Sequence, residues 1–203
     1  MRPLQAFAWS GLCATLAALC IAVWLLPTDV QIAMRWQADT WVSQPWTLWT
    51  ASLTHLSDVH LLVNLLALLG LGVLGQLIGM QRVDALALLL AWPLLHMSLL
   101  LWPQIQFYAG FSGLNHALAG VIVARSAINL IVNRRCHMLA FPLTAVLFAK
   151  MIWEMPWEQP LRMDASWGFS VVQAAHLTGV VAGMFAVAAI QLARIFFTKA
   201  VVE

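Results

Sequence analysis

The chain has 203 residues, of which 63% are hydrophobic and 9% charged, with a net charge of +2 and a mean hydropathy of +0.87. An ordinary soluble domain is about half apolar and about a quarter charged, and a chain of this size cannot hide so much apolar surface from water. A water-soluble globule, a disordered chain and a nucleic-acid binder are thereby excluded, and lipid is the solvent for most of the chain.

A helix needs about 20 mainly apolar residues to cross the hydrocarbon layer, and six stretches are predicted as such helices. The first covers 4–26. It has no clear small-residue cleavage site and five further apolar stretches follow it, so it is read as structure rather than as a leader. Cys13 and Cys20 lie two turns apart on it, about 10 Å along the axis and beyond disulfide reach. The connection 27–51 carries Trp36, Trp41, Trp46 and Trp49 among polar residues and is expected to lie in the membrane interface. The second helix is placed at 53–80, with Gly72, Gly75 and Gly79 marking a face for close packing. The remaining helices are placed at 83–102, 112–132, 137–153 and 168–197. The expectation is one all-α membrane domain over 1–203, a bundle of six transmembrane helices.

Lysine and arginine in short loops set the orientation. If the helices alternate, Arg2, Arg82, Arg134, Arg135, Arg194 and Lys199 fall on one side and only Arg35, Lys150 and Arg162 on the other. Both termini are therefore expected in the cytoplasm, and the second, fourth and sixth helices run inward from the outer face.

Polar side chains within membrane helices are costly and point to function. His55, His60 and Asn64 open the second helix, Ser112 opens the fourth with Asn115 and His116 just behind, and His176 lies early in the sixth. At 1.5 Å per residue these groups share one depth, roughly 10 Å below the outer surface. Their types suggest acyl transfer. A serine hydroxyl becomes a nucleophile when a histidine takes its proton, and the oxyanion that forms needs donors already in place. His60 and Asn64, four apart, share a helix face, and the Ser112 N–H at a helix start adds a third donor. Gly110 and Gly113 are expected to leave room for a substrate backbone. His116, one turn from Ser112, competes as a base or packs against His176 and shapes the substrate pocket. His55 is expected to pin the loop before the second helix by a hydrogen bond, and His96 to pack or bond between helices. Asn115 is expected to point away from Ser112. There is no HExxH pattern and no pair of mid-helix aspartates, so neither a metal nor any other cofactor is expected.

Three motifs occur in order: HxxxxHxxxN (His55, His60, Asn64), GxSG (Gly110 to Gly113) and AHxxGxxxG (Ala175, His176, Gly179, Gly183). With them the chain resembles the rhomboid family of intramembrane serine proteases over about residues 50–190. The resemblance implies a six-helix bundle around a water-filled cavity open to the outer face. It further implies Ser112 as nucleophile, His176 as its base in a dyad without a carboxylate, and His60, Asn64 and the Ser112 N–H as the oxyanion hole. Gly179 and Gly183 would bring the sixth helix against the fourth.

Two positions depart from the commonest rhomboid pattern. His116 stands where many members have a tyrosine, and Arg35-Trp36 reverses a common Trp-Arg pair. The first departure and the compact chain are similar to the rhombosortase branch, which implies a transmembrane protein substrate with a C-terminal Gly-Gly anchor segment, cut in a bacterial inner membrane on the periplasmic side. The competing expectation is a non-catalytic rhomboid-like membrane chaperone or a small transporter. A transporter usually carries paired broken helices, and a pseudoprotease would have lost the serine or the histidine.

Overall fold

The computed structural model describes residues 8–200, with side chains described to residue 195. Positions 4–7 of the first expected helix, Arg2 and the side chain of Lys199 lie outside the described residues. Among the described residues six long helices follow one another: α1 (Ala8–Trp24), α2 (Asp58–Ile78), α3 (Arg82–Ser98), α4 (Ser112–Asn133), α5 (Ala140–Glu154) and α6 (Gln173–Ala200). Four of these are long and apolar enough to cross a membrane: Asp58–Ile78, Arg82–Leu101 (α3 with the 3-10 turn after it), Ser112–Asn133 and Gln173–Ile195. The described part of α1 has 17 residues and α5 has 15, fewer than the about 20 that a hydrocarbon core asks for.

Caps set the helix boundaries. The second apolar stretch starts at position 53, yet α2 begins only at Asp58. Ser57 is extended there and its hydroxyl accepts from the His60 N–H at 3.2 Å, an N-cap that uses one of the four orphan donors of a helix start. At the other end Gly79, with φ +89°, takes the left-handed conformation, and Met80 N–H donates to the Gly75 carbonyl, the arrangement that satisfies a helix's last carbonyls. Gly79 is thus a cap rather than part of the expected packing face; a methyl there would meet nothing within 4 Å. Gly72 and Gly75 do face α1, against Cys13 and the Trp9 indole. A capping box between Gln81 and Asp84 opens α3.

Two short antiparallel pairings were not legible as strands. Trp36–Gln37 (β1) pairs antiparallel with Phe107–Tyr108 (β2), with Trp36 opposite Tyr108. Arg162–Asp164 (β3) pairs with Phe169–Val171 (β4), turning near Gly168 at φ +72°. That hairpin explains why α6 starts at Gln173 and not at the expected position 168. The connection 27–51 is itself partly folded, with helical turns at Thr28–Ala33 and Thr47–Thr50. Gln31 reaches back from the first turn to donate to the Trp24 and Leu26 carbonyls at 3.1 and 2.9 Å, covering the open end of α1.

The central helix is α4, whose Leu114, Leu118, Val121 and Ile122 are fully buried. Lipid gives helices no hydrophobic reason to associate, so close backbone approach takes that part. A methyl at Gly179 would collide with the Gly113 carbonyl oxygen, and one at Gly183 with that of Ala117. On the facing side, a methyl at Gly120 would lie 2.5 Å from the Val180 carbonyl oxygen. Between α3 and α4, Asp84 accepts from Arg125 Nε at 2.6 Å with both side chains largely buried. Arg125 lies about 20 Å along α4 from Ser112 at 1.5 Å per residue, so this ion pair belongs to the opposite end of the bundle.

Candidate active site

A cavity of about 530 Å³ opens among α2, α4, α5, α6 and the β3–β4 hairpin, and His60, Asn64, Ser112, Asn115, His116 and His176 all line it. The layer of polar groups inferred from helix depth is therefore one site, apart from His55.

Each side chain is held by its own element. Ser112 is the first residue of α4, so its N–H has no partner within the helix. The chain enters through Gly110 at φ +128°, where a methyl would lie 2.6 Å from His60 Cε1. Gly113 is equally enclosed: a methyl would meet the Tyr108 hydroxyl at 2.8 Å and the Ala175 carbonyl oxygen at 3.1 Å. The room expected at Gly110 and Gly113 for a substrate is filled by this protein's own His60, Tyr108 and α6, and neither glycine is among the residues lining the cavity. What these glycines do is let three segments crowd around the serine.

His60 sits in the first turn of α2. Its Nδ1 accepts from the Leu56 N–H at 3.4 Å, which leaves the proton on Nε2 as a donor. The His55 ring packs edge-on against it, centroids 5.1 Å apart. Phe169 and Trp167 of the hairpin stand 5.2 and 5.9 Å from the same ring. Asn64 donates one amide hydrogen to the His60 carbonyl at 2.9 Å. Asn115 turns toward Asn64 and donates to its backbone and side-chain oxygens at 3.0 and 3.2 Å. The Asn64 oxygen is thus occupied, the amide is oriented, and its second N–H is spare.

His116 donates from Nδ1 to the Ser112 carbonyl at 2.7 Å, and its ring stacks on His176 at 4.1 Å with a 17° interplanar angle. Of the two readings open for His116, packing against His176 is what the geometry has. The Nδ1–H is committed to the backbone.

His176 is buried on α6 and its Nδ1 bonds Glu154 Oε2 at 2.7 Å. A carboxylate only accepts, so Nδ1 carries a proton, and in the neutral ring Nε2 then carries the lone pair. Nε2 is buried with no hydrogen-bond partner. Glu154 is the last residue of α5, and its other oxygen pairs with Lys150 one turn back. Gln173, with its amide nitrogen toward the Glu154 and Gln159 carbonyls at 2.8 Å each, ties this end of α5 to the start of α6. The dyad without a carboxylate that the resemblance implies is corrected here: His176 has one.

Two residues escaped the sequence reading. Glu154 stands one position beyond the expected end of the fifth helix, where a charge reads as interfacial; its pairing with Lys150 at i,i+4 was the only local signal. Tyr108, on β2, belongs to no motif. Its hydroxyl accepts from the Gly113 N–H at 2.9 Å. Burial raises the pKa of this phenol, and hydrogen bonds from the Ser112 side chain and Gly113 N–H act against that. The β1–β2 pairing with the buried Trp36 holds it there.

Among known proteins, a family model described as Rhomboid domain matches residues 42–192. No curated protein matches the chain.

Proposed function

The chain belongs to the rhomboid family of multi-pass membrane proteins, and we propose that it is an intramembrane serine endopeptidase with Ser112 as nucleophile and His176 as general base. The observation that carries this reading is His176 Nε2, buried without a hydrogen-bond partner, in the cavity that Ser112 lines, where α4 and α6 touch backbone to backbone at Gly113 and Gly179. Ser112 Oγ bonds to the scissile carbonyl carbon as its proton passes to Nε2, and the carbonyl electron pair moves to oxygen. His60 Nε2–H, the spare Asn64 N–H and the Ser112 N–H receive that oxyanion. Collapse expels the amine, which takes the proton back from Nε2 and leaves an acyl-enzyme. Water, or in a sortase-like variant an acceptor amine, then releases the acyl group.

The substrate is a transmembrane segment of a membrane-anchored protein, unwound near small residues because helical backbone bonds protect the peptide. The rhombosortase form of this reading, a cut near a C-terminal Gly-Gly anchor, is supported by His116 in place of the usual tyrosine and by the crowding of His60, Trp167 and Phe169 at the cavity, which suits residues without bulk. We place the protein in a bacterial inner membrane with six spans, both termini cytoplasmic and the cavity facing the periplasm, on the distribution of basic residues. The deciding experiment compares wild type with Ser112→Ala on a fluorogenic Gly-rich transmembrane substrate in proteoliposomes. Turnover is expected from wild type alone, and equal turnover by both removes the protease reading.

A further inference from the structure

We propose that Glu154 is a positioning residue of this site, a carboxylate that holds His176 in the tautomer and orientation its chemistry requires. The inference rests on the reading of Ser112 and His176 as nucleophile and base.

A histidine used as a base toward serine must present an unprotonated nitrogen, and an imidazole left to itself exchanges between two tautomers and rotates. Two contacts remove that freedom at His176. Glu154 Oε2 accepts from Nδ1 at 2.7 Å. The His116 ring stacks flat on one face at 4.1 Å, and His116 is itself fixed by its bond to the Ser112 carbonyl. The Glu154 carboxylate is in turn anchored on its other oxygen by Lys150, and the backbone that bears it is clasped by Gln173. With Nδ1 engaged, Nε2 is the nitrogen left without a partner. When Nε2 takes the serine proton, the imidazolium meets a negative charge already in place, and the proton on Nδ1 stays on Nδ1 throughout. Because Glu154 closes α5 and His176 belongs to α6, this geometry also requires α5 to stay docked on the bundle.

The test is Glu154→Gln, close in shape but able to present an N–H to Nδ1 and so pin the wrong tautomer. In serine proteases the equivalent amide substitution costs about 10⁴ in kcat. For Glu154→Gln, kcat on the fluorogenic transmembrane substrate is expected to fall by about 10²–10⁴-fold with KM within about twofold. Glu154→Asp, which keeps a carboxylate, is expected to retain more activity than Glu154→Gln, and added formate to restore part of the turnover of Glu154→Ala. A residue that only supports packing gives neither the ordering nor the rescue. Should Glu154→Gln fail to fold, the Glu154→Ala and formate comparison carries the test. Ser112→Ala separates the two ideas. If Ser112→Ala is inactive while Glu154→Gln keeps the wild-type kcat, the role of Glu154 is overturned alone. If Ser112→Ala is active, the protease reading fails and takes this inference with it.

Discussion

The contact most exposed to a one-atom perturbation is that between α6 and α4 at Gly179. A methyl at Gly179 would overlap the Gly113 carbonyl oxygen and lie 3.2 Å from the Ala117 nitrogen. Those are backbone atoms of the central helix, so no side chain can rotate to relieve the clash. To recover ordinary contact of about 3.5 Å, α6 must withdraw by roughly 1 Å. Overpacking of this kind costs about 1–3 kcal/mol. His176 is one turn away on the withdrawing helix and Ser112 adjoins the obstructing carbonyl, so the Ser112–His176 distance grows by a similar amount. Misplacement by about 1 Å costs about 10²-fold in rate. Gly179→Ala should therefore lower kcat by about two orders of magnitude and slow labelling of Ser112 by a fluorophosphonate in parallel. Gly70→Ala is the control. It is an exposed glycine of α2 with nothing within 4 Å of the added methyl, and it should be neutral or stabilising by about 0.5–1 kcal/mol. Thermal unfolding in one detergent, with both rate assays, reads all of this. Wild-type labelling, turnover and melting temperature in Gly179→Ala would refute the argument that backbone contact sets the geometry.

Two further predictions concern stability. His96 bridges buried groups, Nδ1 to the Leu48 carbonyl at 2.7 Å and Nε2 to the Ser52 hydroxyl at 3.3 Å; this is the bonding role expected of it. His96→Ala strands the Ser52 hydroxyl and should cost about 1–3 kcal/mol for that group alone, seen as a lowered unfolding midpoint, and an unchanged midpoint would contradict the bridge. Asp84→Asn leaves the Arg125 charge largely buried and uncompensated, for a loss of about 3–5 kcal/mol. Adding Arg125→Gln should recover much of that loss, so a double mutant whose losses simply add would show that the two residues are not coupled.

Much of the bundle is legible in the sequence, because a membrane helix must satisfy its backbone within itself and so announces its length as an unbroken apolar run. Local chemistry likewise marked the groups around the cavity, since a serine or histidine in such a run has to be explained. Ser112, His60, Asn64, His116 and His176 were all named from their positions, and all of them line the cavity. The ends of the runs were less legible. Residues 53–57 and 168–172 adjoin the apolar runs, and the extended Thr54, the Ser57 cap and the Gly168 hairpin turn exclude them from the helices.

Contacts between distant segments decided the rest. Glu154 is 22 residues from His176 in the chain, and no periodicity joins them; they meet because Gln173 and the short hairpin return α6 to the end of α5. Gly110 and Gly113 looked like openings because a missing side chain is the same signal whether substrate or protein fills the space. A sequence records which groups lack bulk or carry charge. What occupies the space beside them depends on through-space packing, which the fold alone supplies.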